Sequence, residues 1–324
     1  MENHQPNRSR RRKASCVQNR VCAHSRVRTK MIARLLFAIT LLLAPLASAD
    51  VPRVVTSIAP LQGLVADIMR GVGSPKLLLD EAISPHDFAM RPSQAKAISE
   101  ADVLFYIGQD LEPWLEKALR SRDNKNLVIA LGNMPDLNRL KARELDDFGD
   151  DHNDHDHAGA HDPHMWLDPS NALIWLDIIT GVLEIADPDN KATYRNNLNR
   201  TRVKIVDATE NARRALAPIA DVELVVTHDS TQYFEEAFGL NVIGAFSASD
   251  GQKAGARSLN ALLGQLGPNT CIIADTTNPS RITANLPDNI KLVVVDPMGF
   301  DQLGEGYYPR FLNTLVNSFL ECRD

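Results

Sequence analysis

Cysteine is scarce in this chain of 324 residues: four in all, at positions 16, 22, 271 and 322. Glycine (17) and proline (18) stand at ordinary levels, which excludes collagen-like, low-complexity and wholly disordered chains. There is no Walker A pattern and no Gly-x-Gly-x-x-Gly, so nucleotide binding has no sequence support. Basic charge is outnumbered over most of the chain. Residues 1–49 hold ten Lys and Arg against one acid, Glu2, leaving 25 bases and 40 acids in residues 50–324, a net of −15. An acidic body of this kind argues against nucleic-acid binding and against a polybasic membrane binder, and it would concentrate cations. What is present is 44% apolar composition, enough to bury one large core or two of ordinary size.

One apolar run stands out, from Leu35 to Leu46, preceded by Arg28, Lys30 and Arg34 and followed by Ala47-Ser48-Ala49. Residues 31–49 therefore read as a secretory signal peptide, cleaved so that the mature chain starts near Asp50. Residues 1–30 are basic without apolar periodicity and read as a non-native upstream extension, with Met31 the true start. The absence of a Cys after the run makes a lipid anchor unexpected, so the exported protein is expected in the periplasm with no direct membrane anchor. Export leaves Cys271 and Cys322 in a compartment that permits disulfides. Paired, they would stabilise the fold by about 4 kcal/mol in the chain-entropy model; the other reading is two buried thiols.

The mature chain alternates β-rich runs (53–57, 76–79, 103–107, 127–131) with helical patterns (60–70, 92–100, 111–120), and a second series of runs follows at 222–227, 242–246, 271–275 and 291–295. This predicts an α/β protein of two lobes, each a mainly parallel sheet flanked by helices. The expected division is 50–187 for the N-terminal lobe, 188–218 for a linking helix and 219–324 for the C-terminal lobe. In the linker, Tyr194, Leu198, Thr201, Ile205, Ala208, Ala212 and Ala215 step by three and four along one stripe between Pro188 and Pro218. A helix of that length implies a stiff connection. Asp168 before Pro169 reads as the N-cap of a further helix.

The seven histidines beyond the signal segment are distributed unevenly. His152, His155, His157 and His161 lie in the Asp-rich stretch 144–163, which lacks apolar periodicity and suits weak, auxiliary metal capture. His86, His164 and His228 each sit just past an apolar run or at a helix entrance, where open α/β sheets bind ligands. Three imidazoles plus a carboxylate or water make a tetrahedral Zn²⁺ shell. Asp296, at the end of the run 291–295, is the candidate fourth ligand, with water in its place as the other reading.

At these motifs the chain resembles the zinc-specific cluster A-I solute-binding proteins of ABC importers. The resemblance runs over Ser57-Ile58-Ala59-Pro60-Leu61, Ser84-Pro85-His86-Asp87-Phe88, Pro163-His164-Met165-Trp166-Leu167-Asp168-Pro169, Thr227-His228-Asp229 with Tyr233-Phe234, and Asp296-Pro297-Met298-Gly299. It implies two lobes joined by a rigid helix with the metal between them, and assigns His86 and His164 to one lobe and His228 to the other. It also implies a Cys271–Cys322 disulfide, a monomer, and as partners a membrane permease with its cytoplasmic ATPase, with no enzyme activity and no nucleic acid. Manganese-selective relatives place Glu where this chain has His228, so the nitrogen shell favours Zn²⁺. A manganese-binding member of the family is one alternative. A zinc hydrolase is another, but no His-Glu-x-x-His helix is present to supply its general base.

Overall fold

In β1 (Val54–Thr56) successive side chains enter different layers: Val54 joins the main core, while Val55 faces a smaller cluster with Leu78, Ile98 and Leu104. A strand with apolar residues on both faces needs cover on both, and helices supply it. In the computed structural model, the described residues are 51–323 except 82, 87, 121–125, 144–160, 250–251, 254–255 and 277–289.

The first half runs β1, α1 (Ala59–Ile68), β2 (Lys76–Leu77), α2 (Pro92–Glu100), β3 (Val103–Tyr106), α3 (Pro113–Arg120) and β4 (Leu127–Ala130). Its strands form a parallel sheet in the order β2-β1-β3-β4. Two long helices follow, α4 (Pro169–Ala186) and α5 (Lys191–Leu216). The second half contains β5 (Glu223–Val226), α6 (Gln232–Phe238), β6 (Asn241–Ala245), the short antiparallel pair β7 (Ser247–Ser249) and β8 (Gln252–Lys253), α7 (Ala256–Gln265), β9 (Thr270–Asp275), β10 (Lys291–Val295) and α8 (Tyr307–Leu320). Its main sheet is again parallel, in the order β10-β9-β5-β6. The expected two sheets are present.

The Asp168 N-cap is also present: its Oδ1 accepts from the amide of Ser170 at 2.7 Å, with Pro169 in the first turn. α4 is apolar and long enough to cross a membrane by composition, but Trp175, Leu176, Ile179 and Leu183 are fully buried in the core. α5 is the single long helix that the spacing predicted, flanked by 3₁₀ turns at Pro188–Asn190 and Ala217–Ile219. At 1.5 Å per residue its 26 residues span about 39 Å.

α8, although last in the chain, packs against α1 and α5 as well as β10. Gly63 of α1 makes this crossing possible, because a Cβ there would lie 2.2 Å from Cγ of Tyr307. Asn197 of α5 donates to the carbonyls of Ile68 and Arg70, both at 2.9 Å, satisfying the end of α1 that has no helical partners. The main core runs unbroken from Val54 to Phe319, so the two sheets share one apolar interior.

Candidate metal centre

His86, His164 and His228 meet although 142 positions of sequence separate the first from the last. Their nearest ring nitrogens all lie within 4.8 Å of one another, and the ring centroids are 5.3 to 6.2 Å apart. They line a cavity of about 320 Å³ together with Asp162 and Arg143. A tetrahedral zinc shell with Zn–N near 2.0–2.1 Å puts ligand nitrogens about 3.4 Å apart.

Each imidazole is held differently. His86 lies in irregular chain between β2 and α2. Its amide donates to Oγ of Ser84 at 3.2 Å, and the indole of Trp114 donates to the carbonyl of Pro85 at 2.8 Å. Phe88 packs edge-on against the same indole. His164 precedes the 3₁₀ turn Met165–Leu167 and is buried. Both its amide and its Nδ1 meet Oδ1 of Asp162, at 2.9 and 2.7 Å. A carboxylate can only accept, so Nδ1 carries the proton and Nε2 is left with its lone pair for a metal. His228 follows β5, with Nδ1 3.4 Å from Oδ2 of Asp275 at the end of β9. Ser230 donates to that same oxygen at 3.1 Å, and the amide of Asp275 donates to Oγ1 of Thr227 at 3.2 Å. A ligating histidine with a carboxylate behind its second nitrogen is a recurring arrangement in metal sites.

Asp296 stands elsewhere. Its Oδ1 accepts from the amides of Met298 and Gly299, both at 2.9 Å, and its Oδ2 from Phe300 at 2.8 Å. Burial raises its pKa against these three amides. It is not a member of the three-imidazole group. Its turn braces the site from behind, since the indole of Trp166 donates to the carbonyl of Pro297 at 2.7 Å and the ring of Trp166 lies 5.3 Å from that of His164.

His161, which also lines the cavity, has Nδ1 3.3 Å from the carbonyl of Leu140. His152, His155 and His157 lie outside the described residues. Cys271 and Cys322 are bonded, tying β9 to the end of the chain beyond α8.

Sequence reasoning missed Asp162 and Asp275, and missed a buried ion cluster beside the site in which Arg143 meets Asp229 and Glu235. Burial works against the charge of Arg143, but the two carboxylates outweigh it and raise its pKa. Burial also lifts Glu235 to about 7, against the pull of Arg143. Asp162, two residues before His164, and Asp229, directly after His228, were the groups with a local signal.

The profile of the family described as zinc-uptake complex component A, periplasmic, matches residues 54–322. A high-affinity zinc uptake system protein, ZnuA, of Brucella abortus (strain 2308) is 32% identical over 308 residues, covering 83% of this chain and 91% of that protein. Among solved structures, a ZnuA crystal structure superposes with a TM-score of 0.71 at 21% identity, covering 85% of this chain and all of the other. The periplasmic zinc-binding protein TroA of Treponema pallidum superposes with a TM-score of 0.70 at 20% identity, over 84% and 98% of the two chains.

Proposed function

We propose, from the premise that this chain belongs to the ZnuA family of periplasmic zinc-uptake components, that it captures Zn²⁺ in the periplasm with high affinity and delivers it to an ABC-type importer. The observation that carries this reading is the convergence of three imidazoles from distant loops, with acceptor carboxylates behind two of them. Zinc is the cargo, and His86, His164 and His228 are its protein ligands. The fourth position is assigned to water, since Asp296 lies outside the three-imidazole group and its carboxylate is turned to three backbone amides. His152, His155, His157 and His161 serve as an auxiliary, weaker capture site. The protein works as a monomer and carrier without catalysis. Its partners are a membrane permease and that permease's cytoplasmic ATPase, reached after a signal peptide is cleaved near Asp50.

Competition titration against a chelator tests the shell. His164→Ala is expected to weaken binding by orders of magnitude, since it removes a direct metal–nitrogen bond. Asp296→Ala is expected to cost far less, through the turn alone. A larger loss for Asp296→Ala would exchange their roles.

A further inference from the structure

Arg143 lies beyond β4 and the 3₁₀ turn Leu131–Asn133, and it lines the cavity of the three imidazoles. Its Nε donates to Oδ2 of Asp229 at 2.9 Å, and its Nη2 donates to Oδ1 of the same carboxylate. Nη2 also lies 2.8 Å from Oε2 of Glu235. Both acids are almost wholly buried, with side chains 3% and 5% exposed, against 21% for Arg143. Asp229 directly follows His228. Its amide donates to the carbonyl of Ser247 at 2.9 Å, while Oε1 of Glu235 accepts from Thr231 at 2.6 Å. The second half of the chain thus fixes both acids, and the first half supplies the cation between them.

Tyr233 adds a parallel tie. Its hydroxyl accepts from the amide of Leu140 and donates to the carbonyl of Asp162, both at 3.0 Å. The segment bearing Arg143 and the segment bearing His164 therefore dock together on α6.

His86 and His164 come from one side of the cavity and His228 from the other. A tetrahedral shell tolerates little error in the distance between those sides. We propose that Arg143 is the positioning residue that holds His228 in register with the other two imidazoles, and that this clamp sets how fast the metal leaves. The inference deepens the zinc-carrier reading and rests on it. Charge alone predicts the opposite effect, since a guanidinium near a dication repels it and its removal would tighten binding. The fork geometry and the two carboxylates facing the guanidinium make position the dominant effect.

Zinc-loaded mature protein mixed with excess chelator in a stopped-flow instrument tests this. Arg143→Met is expected to release zinc roughly tenfold faster or more, the scale of a lost charge-assisted hydrogen bond. Arg143→Lys is expected to fall between, because an ammonium keeps the charge without the fork. If Arg143→Met does not fold, the uncharged set Arg143→Met, Asp229→Asn, Glu235→Gln replaces it, leaves no unpaired buried charge, and is expected to release zinc as fast. Release that is slower, or unchanged within about twofold, in the folded variants would overturn the clamp. Failure of the zinc-carrier reading looks different: wild type would not hold zinc, or His164→Ala would hold it as well as wild type does.

Discussion

Among single residues, Asp162 carries the most chemistry per atom. Its Oδ1 fixes the tautomer of His164, while its Oδ2 is buried without a hydrogen-bond partner among the described residues. Asp162→Asn substitutes a donor or a weaker acceptor behind Nδ1, so zinc affinity is expected to fall 10- to 100-fold, the usual cost of losing such a partner. Chelator competition measures it, and an unchanged affinity would show that His164 orients itself. Glu112 makes a separate prediction about stability. Its Oε2 accepts from the amides of Ile107 and Gly108, both at 2.9 Å, yet burial lifts its pKa to about 7 despite Ser57 and these amides. The folded state then holds a proton that the unfolded chain gives up near the ordinary glutamate value of 4.5. Stability from this group is full below about pH 4.5 and is lost as pH rises to about 7, by roughly 3 kcal/mol in all. Glu112→Gln should remove that slope, so its melting temperature gains on wild type between pH 5 and 8 in metal-free protein. Parallel melting curves would refute it. None of this could be read in the sequence, where Glu112 is one acid among 40 in residues 50–324 and only burial distinguishes it.

At the scale of elements, periodicity carried most of the information. The stripe on α5 predicted one long helix because steps of three and four keep apolar groups on one face. Tyr194, Thr201, Ile205, Ala208 and Ala212 are buried as that stripe requires, whereas Leu198 and Ala215 sit at its half-buried edge. The crossing of α8 over α1 had no such signal. It depends on a glycine in a helix, which sequence reads as a weak spot and structure reads as a contact with Tyr307. Gly63→Ala is therefore expected to destabilise by about 1–3 kcal/mol through overpacking, although alanine is the better helix former. Chemical denaturation of the metal-free protein checks the sign. A stabilised variant would mean that the helices separate at little cost.

Across the whole molecule, the Cys271–Cys322 bond and the candidate metal centre lie in different places: the bond ties the start of β9 to the chain end, and the imidazoles come from the chain between β2 and α2, from just before α4 and from just after β5. Stability and binding should separate accordingly. Replacing both cysteines by serine is expected to lower unfolding stability by up to about 4 kcal/mol. Zinc affinity at 25 °C should stay within a few-fold of wild type. Added zinc should raise the melting temperature of both forms, by the linkage that gives about 2.7 kcal/mol at a hundredfold excess over Kd. Loss of zinc binding in the double-serine protein would show that the bond positions the site.

The sequence by itself determined the two parallel sheets and the long helix, and it singled out His86, His164 and His228, which the fold brings together. Alternating and 3.6-residue patterns are local, and loops beyond apolar runs or at helix entrances are where open α/β sheets bind ligands. Tertiary structure alone decided which carboxylates serve them. Asp275 is 47 positions from His228 and Asp229 is 86 from Arg143, separations at which no spacing rule operates. Asp296 had a strand end as its only sequence signal, and the fold surrounds its oxygens with three neighbouring amides. A carboxylate takes whatever donors the folded chain brings within about 3 Å, and that distance is settled only when the strands are in register.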